Sequence, residues 1–320
     1  DHCIESILEG SDYADDVQIV IVDDGSVKDD TAAKADAWQE RYPNIIKAVH
    51  QENGGHGIAV MKAVSHADGV YFKNIDSDDW VDGDALKTFL QQLRTFIASD
   101  NPVDLVLSNY VYEHVEDNTQ NFVDYRDAVP TNKIGRFKLS QYLLMHAITY
   151  RVEVLRSANI QMPEHTFYVD NVYAYVPFPK VKTIYYVDVD LYRYFIGRDD
   201  QSVNEKVLTS RVDHYWRVAR NMMHAYHIYD DISSPRLQTY MMSYFTIIMA
   251  ICSVFSKMSD REDAMDQLEE LWDELRAYDK KMYRKARYGL VGTATNLPGK
   301  IGKTVTIGGY RVAQKVVKFN

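Results

Sequence analysis

The chain has 320 residues, 46% of them hydrophobic and 26% charged, and this ordinary globular composition allows one large domain or two smaller ones. Its two cysteines, Cys3 and Cys252, are too few and too far apart for a disulfide framework or a zinc site, which favours a reducing, cytosolic setting. The formal net charge of −10 is uneven, because eleven Lys and Arg and one acid give residues 276–320 a charge of +10 and leave −20 on residues 1–275.

The first two-thirds of the chain alternates between strand and helix patterns. The run VQIVIVDD at 17–24 is mostly β-branched and apolar, as in a strand that is buried on both faces. Further strands are predicted at 45–50, 70–75 and 103–115, and helices at 29–42, 57–67 and 82–97. Strands separated by helices in this way predict an α/β fold with a mainly parallel sheet.

The pattern changes near residue 205, after which long helical segments dominate and a Gly-rich stretch, GLVGTATNLPGKIGK, follows them. We therefore predict one domain at 1–205 and a helical C-terminal region at 206–320. The longest apolar run, 241–255, is shorter than the ~20 residues of a transmembrane helix, so we predict a buried helix there.

Two acidic clusters follow predicted strands. Asp23 and Asp24 come after the first strand, and Asp76, Asp78 and Asp79 lie within four positions after the third. Ligands of open α/β sheets bind outside the carboxyl ends of strands. A helix cap explains one acid of each cluster. Three acids within four positions are better explained by a divalent cation such as Mg²⁺ or Mn²⁺, which bridges carboxylates to phosphate oxygens.

Between the two clusters, the Gly-rich segment ENGGHG at 52–57 opens a predicted helix. Glycines let a backbone approach a ligand closely, and the amides at a helix N-terminus suit an anion such as phosphate. A simple turn explains the same residues equally well, so this segment alone does not decide between the two interpretations.

The basic segment at 276–320 indicates an anionic partner for an otherwise acidic chain. Apolar residues are interleaved with its Lys and Arg, as in KKMYRKARYGLVG and YRVAQKVVKF. This pattern favours an anionic membrane surface over nucleic acid. A solvated basic helix packed on the rest of the protein is the alternative.

Several segments together resemble the family 2 glycosyltransferases of the GT-A fold, inverting enzymes of bacterial cell-wall and polysaccharide synthesis. They are IVIVDDGSVKDDT, ENGGHGIAVMKAV, ADGVYFKNIDSDDWV, MPEHTFYVDNVYAYVPF and LYRYFIGRDDQSV, in this order between residue 1 and about residue 205. DDGS followed by DSDD at this spacing is rarely accidental. The resemblance implies a GT-A domain, a nucleotide-sugar donor and a bound Mn²⁺ or Mg²⁺.

The resemblance also implies roles for individual residues. Those expected to bind the nucleotide-sugar are Asp23, Asp24, Asn53, Gly55, Lys62, Asp76, Arg198, Gln201 and Ser202. Asp78, together with Asp76, matches the metal ligands. Asp170 in YVDN matches the catalytic base, with Val169 where the family more often has an acid. His146 lies in a region that often lines the acceptor side.

Two features depart from the family pattern. The family normally begins with a strand resembling SVIIPVYN, whereas this chain begins with DHCIESILEG, which resembles the helix that follows that strand. We expect the first strand to be missing through truncation. The Gly-rich motif often continues to an Arg that helps to hold the donor; here that position is Val60, with Lys62 nearby, so donor affinity or identity is expected to differ.

We therefore expect inverting, metal-dependent transfer of a sugar from a nucleotide-diphosphate sugar, with UDP favoured, to a hydroxyl of a glycan, lipid-linked or cell-wall acceptor. The expected location is cytoplasmic, peripheral at the inner face of the cell membrane, and no nucleic-acid partner is expected. One alternative is a metal-dependent nucleotidyltransferase, which normally needs an N-terminal Gly-rich loop with a basic residue. The other is a non-catalytic nucleotide-sugar-binding protein, which would not need Asp170.

Overall fold

The computed structural model describes residues 1–99, 102–128, 142–197 and 205–317, without side chains at 300, 301 and 313–317. The chain divides into two compact units. One comprises Asp1–His165 and Val169–Gly197, and we call it the sheet unit. The other comprises Thr166–Tyr168 and Arg198–Asn320, and we call it the helical unit.

The sheet unit contains the alternating helices and strands. Its helices are α1 (His2–Gly10), α2 (Thr31–Arg41), α3 (His56–His66), α4 (Gly83–Ala98), α5 (Val152–Ser157) and α6 (Asp170–Tyr175). Its strands are β1 (Ile19–Asp23), β2 (Ile46–His50), β3 (Tyr71–Phe72), β4 (Trp80–Val81), β5 (Leu105–His114), β6 (Thr119–Val123), β7 (Ile148–Arg151) and β8 (Ile184–Ile196). Short 3-10 turns lie at Met145–Ala147 and Phe178–Lys180. The elements predicted between residues 17 and 115 are confirmed, with ends shifted by a few residues.

The strands pair in both senses. β1 and β2 form a parallel pair of their own, and the second sheet has the order β3-β7-β5-β8-β4, with β6 paired to β5. In the second sheet β5 and β8 are parallel, whereas the other described pairs are antiparallel. The expected mainly parallel sheet is therefore a mixed one, because the turn at 115–118 forms a β5–β6 hairpin and because β4 and β7 pair antiparallel with strands distant in sequence.

The core of the sheet unit lies between α4 and the larger sheet. Leu86, Phe89 and Leu93 recur at helical spacing and form one apolar face of α4. They pack in a buried cluster that includes Val106 of β5 and Leu191 of β8. This packing fixes the central strands β5 and β8, and the loop between β3 and β4 connects the two strands at the ends of that order.

In the helical unit, the first described helix is α7. Its helices are α7 (Glu205–Ser210), α8 (Val212–Ala225), α9 (Ile228–Asp231), α10 (Pro235–Met258), α11 (Ala264–Tyr278), α12 (Lys280–Tyr288), α13 (Leu290–Thr295) and α14 (Gly299–Val317). Within the described ranges, α10 is the one helix long and apolar enough to cross a membrane, and 67% of its most apolar window is buried by the protein itself. That burial agrees with the buried helix predicted at 241–255.

Candidate active site

The first acidic cluster holds the Gly-rich segment in place. Asp24 Oδ1 accepts hydrogen bonds from Gln51 Nε2 at 2.7 Å and Gly54 N at 2.8 Å. Asp24 Oδ2 accepts from Gly55 N at 2.8 Å, and Asn53 Nδ2 donates to the Asp24 carbonyl at 2.9 Å. The N–H of Gly55, a residue expected to bind the nucleotide-sugar, therefore donates to a protein carboxylate.

Asp23 is the buried last residue of β1 and has internal partners as well. Its Oδ1 accepts from Ser26 N at 3.0 Å, and its Oδ2 lies 3.1 Å from His50 Nδ1 on β2. Burial alone would raise the pKa of Asp23, but the hydrogen bonds from His50 and Ser26 lower it. Gly25 has a φ of +72°, and a Cβ there would lie 2.9 Å from Asn53 N, so this turn requires glycine.

The start of α3 connects the two acidic clusters. His56, its first residue, places Nε2 3.2 Å from Asp76 Oδ1. At the next position, a Cβ on Gly57 would lie 3.0 Å from Met162 Cβ and 3.1 Å from Val169 Cγ2. This close packing holds the first turn of α3 against the segment that leads into α6. Three stretches that are distant in sequence therefore meet at His56.

Asp76 is the half-buried acid of the second cluster, and its surroundings keep it ionised. Its Oδ1 accepts from Asn74 Nδ2 at 2.8 Å, in addition to the contact with His56. Burial would raise the pKa of Asp76, but the hydrogen bond and charge of His56 outweigh it and lower the pKa to about 2. Burial likewise opposes the charge of His56, and Asp76 nevertheless raises the pKa of that imidazole. Among the described contacts Oδ2 accepts no hydrogen bond, so it is the oxygen left for a ligand.

The other two acids of this cluster differ in exposure. Asp79 is 3% exposed. Its Oδ1 accepts from Phe195 N at 2.8 Å, and its Oδ2 accepts from the hydroxyl of Tyr192. Burial, helped by the charges of Asp76 and Asp78, raises the pKa of Asp79 to about 7 against these two bonds. Asp79 thus fastens the loop to β8, whereas Asp78 is exposed at its surface.

A buried histidine lies beside the acids. His146 is 7% exposed, and its Nδ1 has no hydrogen-bond partner among the described residues. The rings of Tyr110, Tyr192 and Tyr194 surround the imidazole at centroid distances of 5.6, 4.8 and 4.6 Å. Burial lowers the pKa of His146 to about 4, so the ring is neutral and its unprotonated nitrogen can coordinate a cation.

One group in the described part of the chain can hold a metal ion. It consists of Asp76, Asp79 and His146, whose ligand atoms lie within 4.8 Å of one another. The unpartnered nitrogen of His146 fits such an ion, because a polar atom buried without a partner is costly. Asp78, the residue expected to bind the metal, is not in this group. Its carboxylate is exposed, and metal binding by Asp78 stays a prediction.

Asp170 begins α6 beside the second cluster. Burial raises the pKa of Asp170 to about 6, while the nearby charge of His56 lowers it and that of Asp76 raises it. Asn171 Nδ2 donates to Asp170 Oδ1 at 3.2 Å. A carboxyl group with this pKa is mostly ionised at neutral pH and is more basic than an ordinary aspartate, as a general base requires.

Two residues beside the second cluster, His56 and Lys73, were not predicted from the sequence as site residues. Lys73 Nζ donates to the carbonyl of His146 at 2.6 Å and lies 5.5 Å from the centroid of the Tyr192 ring. Burial lowers the pKa of Lys73 to about 7. Both residues carried a signal, because His56 follows a glycine pair between the two clusters and Lys73 interrupts the strand that precedes the acids.

Four other residues were expected to bind the donor. Lys62 lies half-buried in the middle of α3. Arg198, Gln201 and Ser202 lie outside the described residues. Their roles in holding the donor stay predictions.

Comparison with known proteins points to one family. The family model "Glycosyl transferase family 2" matches residues 1–157, which include both acidic clusters. EpsH of Bacillus subtilis is 36% identical over 113 residues, 35% of this chain and 29% of EpsH. The glycosyltransferase GlyG of Streptococcus pneumoniae is 32% identical over 127 residues, 39% of each protein. The chain thus aligns with well under half the length of these relatives.

A solved structure extends the likeness to most of the chain. The TarS 1–349 fragment from S. aureus, crystallised with UDP-GlcNAc, superposes with a TM-score of 0.63 at 14% identity and covers 97% of this chain and 87% of that one. At such low identity the match shows the fold alone. It confirms the expected GT-A fold class with a helical C-terminal region.

Proposed function

Because the chain belongs to glycosyl transferase family 2, we propose that it transfers a sugar from a nucleotide-diphosphate sugar to an acceptor hydroxyl. One observation carries the proposal: the sheet unit brings an ionised Asp76 and a more basic Asp170 together around His56. A low pKa suits binding of a cation, which can in turn bind a diphosphate, and a raised pKa suits uptake of a proton.

A UDP-sugar is the donor we favour. TarS, which shares the fold, binds UDP-GlcNAc in its crystal structure. We assign the nucleotide end of the donor to Asp23 and Asp24 at the carboxyl end of β1. Their hydrogen bonds to Ser26, Gly54 and Gly55 make this end of the site rigid before any ligand arrives.

We assign the metal to Asp76 and His146, with Asp78 as a further ligand from the exposed side. Asp76 has an unused carboxylate oxygen and His146 an unpartnered nitrogen. Asp79 already accepts a bond at each oxygen, so we assign it to positioning the loop. A mixed nitrogen and oxygen donor set favours Mn²⁺ over Mg²⁺. When bound, the ion neutralises charge that develops on the leaving diphosphate.

Asp170 is assigned as the general base. It takes the proton of the acceptor hydroxyl while the hydroxyl oxygen bonds to the anomeric carbon of the sugar. The bond from that carbon to the diphosphate oxygen breaks, and the nucleoside diphosphate leaves with the electron pair. One displacement from the opposite side inverts the anomeric configuration.

The acceptor we propose is a hydroxyl of a glycan, a lipid-linked glycan or a cell-wall polymer precursor. We place the enzyme in the cytoplasm, where nucleotide-sugars are made and where its two cysteines, both free, remain reduced. The peripheral membrane attachment that we expect involves the helical unit.

The proposal is tested by incubating the purified chain with a panel of nucleotide-sugars, with and without Mn²⁺. We expect one UDP-sugar to raise the melting temperature only when Mn²⁺ is present, since a ligand that binds the folded state stabilises it. NMR of the product should show an inverted anomeric centre. Release of pyrophosphate from a nucleoside triphosphate would instead identify a nucleotidyltransferase. Donor binding without transfer or hydrolysis would identify a binding protein.

A further inference from the structure

Helix α12 of the helical unit is strongly basic. Its nine residues, KKMYRKARY, contain five cations and no acid. Four of the cations line one open depression of about 470 Å³. They are Lys280, Lys281, Arg284 and Lys285.

The burial pattern of α12 explains why these cations are grouped. Met282 and Ala286, one turn apart, are fully buried and anchor one side of the helix. The four cations occupy two pairs of positions spaced by four residues, so they lie side by side on the exposed surface. Like charges at this spacing destabilise a helix, and an anion beside them relieves the repulsion.

The described part of the chain does not supply that anion. In the described ranges no carboxylate lies within ion-pair distance of the four cations. Asp279, the adjacent acid, accepts from the backbone N–H groups of Lys281 and Met282 and lies 3.6 Å from His227 Nδ1. Lys281 Nζ lies 4.0 Å from the ring centroid of Tyr229, a neutral partner that leaves the charge in place.

Large apolar side chains protrude next to the cations. Tyr288 is 67% exposed, Leu290 90% and Val291 43%. Their position relative to α12 is fixed, because α13 packs so tightly that a Cβ on Gly292 would lie 1.7 Å from the Ala286 carbonyl oxygen. Cations and apolar side chains therefore belong to one rigid surface, which we call the 280–291 surface.

We propose that the 280–291 surface docks on an anionic lipid bilayer. The four cations suit lipid phosphates, and Leu290, Val291 and Tyr288 suit the boundary between headgroups and acyl chains. A nucleic acid would satisfy the cations but would leave Leu290 in water, and this contrast favours the bilayer. The proposal does not depend on the transferase reaction, since it uses no residue of the sheet unit.

Vesicle co-sedimentation of the whole chain tests this proposal without any donor or acceptor. We expect binding to vesicles that contain phosphatidylglycerol and little binding to pure phosphatidylcholine vesicles. Leu290→Gln should weaken binding about tenfold, because burial of a leucine is lost. The triple change Lys280→Gln, Arg284→Gln and Lys285→Gln should weaken it roughly fivefold for each charge removed.

Matched variants in the sheet unit separate this surface from general effects. Phe122→Ser removes another exposed apolar side chain, 58% exposed, and should leave binding unchanged. Lys34→Gln, Lys87→Gln and Lys182→Gln remove the same charge elsewhere and should have a much smaller effect. Equal binding to both kinds of vesicle, or full binding by Leu290→Gln, would overturn the proposal. Preferential binding to an oligonucleotide, sensitive to the cations but not to Leu290, would overturn it in favour of nucleic acid.

Discussion

The two acidic clusters of the sheet unit look alike in sequence, yet their carboxylates do different things. After β1, both acids accept hydrogen bonds from neighbouring backbone and side chains, with Asp24 alone accepting three. After β3, Asp79 accepts a hydrogen bond at each oxygen, whereas Asp76 contacts Asn74 and His56 through one oxygen and Asp78 is exposed. An acidic strand end can bind a cation only where carboxylate oxygens remain after the internal donors are counted. From this difference we propose that the first cluster mainly stabilises the loop and that the second binds the cation.

The largest expected effect tests whether the chemistry lies beside the second cluster. Asp170→Asn removes a group that can accept a proton and keeps the size of the side chain. We expect transfer to fall by about 10²–10⁴-fold, the usual contribution of general-base catalysis, while binding of the nucleotide-sugar stays largely intact. Initial rates and donor affinity by calorimetry measure the two properties.

Asp84→Asn is the matched control for this variant, because Asp84 is an exposed acid in the first turn of another helix, α4. It should transfer sugar at the normal rate. If Asp170→Asn also retains a near-normal rate, the base is a different residue and the grouping of Asp76 with Asp170 has no catalytic meaning.

The next prediction compares one substitution in each cluster, Asp24→Asn and Asp78→Asn, for stability and donor binding. In Asp24→Asn, the new amide group must face the N–H of Gly54 or Gly55, so one donor meets another donor. We expect the free energy of unfolding to fall by about 2 kcal/mol and the amides at 54 and 55 to exchange faster with deuterium. Asp78→Asn, on the exposed side, should change stability by less than about 0.5 kcal/mol but weaken Mn²⁺-dependent donor binding.

Urea titration, hydrogen exchange and calorimetry on both variants would establish the contrast. A stable Asp24→Asn protein that fails to bind the donor would reverse the assignment and make the first cluster the one that contacts ligand. Unchanged Mn²⁺-dependent binding by Asp78→Asn would remove Asp78 from the metal site and leave Asp76 and His146.

Much of this architecture can be predicted from the sequence, because the residues of a single helix or strand determine where that element forms. The run at 17–24 and the apolar spacing within 82–97 each specify one element through their own residues, and β1 and α4 form there. The antiparallel pairings of β7 and β4 depend on contacts between distant segments, which no local pattern encodes. The mixed sheet was therefore not predicted.

The same distinction applies to the candidate site. Asp76 and Asp170 stand in recognisable motifs, and the structure places them near each other. The division of labour among the aspartates could not be predicted, because it depends on donors such as Tyr192 and the backbone N–H of Phe195, more than a hundred residues from Asp79. Likewise, only the fold shows that His146 is buried among tyrosines with an unpartnered nitrogen.

The pH dependence of transfer gives a more moderate effect. Burial disfavours the charged form of Asp170 and raises its pKa to about 6, and the base must be deprotonated to act. We therefore expect kcat/KM to rise with pH through about 6 and to level off above it, with a loss of about tenfold for each pH unit below that point. Rates measured from pH 4.5 to 8 in wild type and in Asp170→Asn check this. The residual activity of the variant should not show the rise of kcat/KM near pH 6, which is the acidic limb of the pH profile. A wild-type limb centred near 4 would contradict the raised pKa.

The smallest expected effect concerns the residue that connects the clusters. His56 lowers the pKa of Asp170 through its charge and bonds Asp76 through Nε2. In His56→Gln, the amide can still donate to Asp76, but the positive charge is gone. We expect the midpoint of the pH limb to move to higher pH by less than one unit, because an ionised Asp170 loses a stabilising cation. His66→Gln, at the other end of the same helix, should leave the midpoint where it is. A midpoint that stays fixed, or moves to lower pH, would show that the charge of His56 does not stabilise ionised Asp170. The electrostatic coupling inferred between the second cluster and Asp170 through His56 would then be wrong.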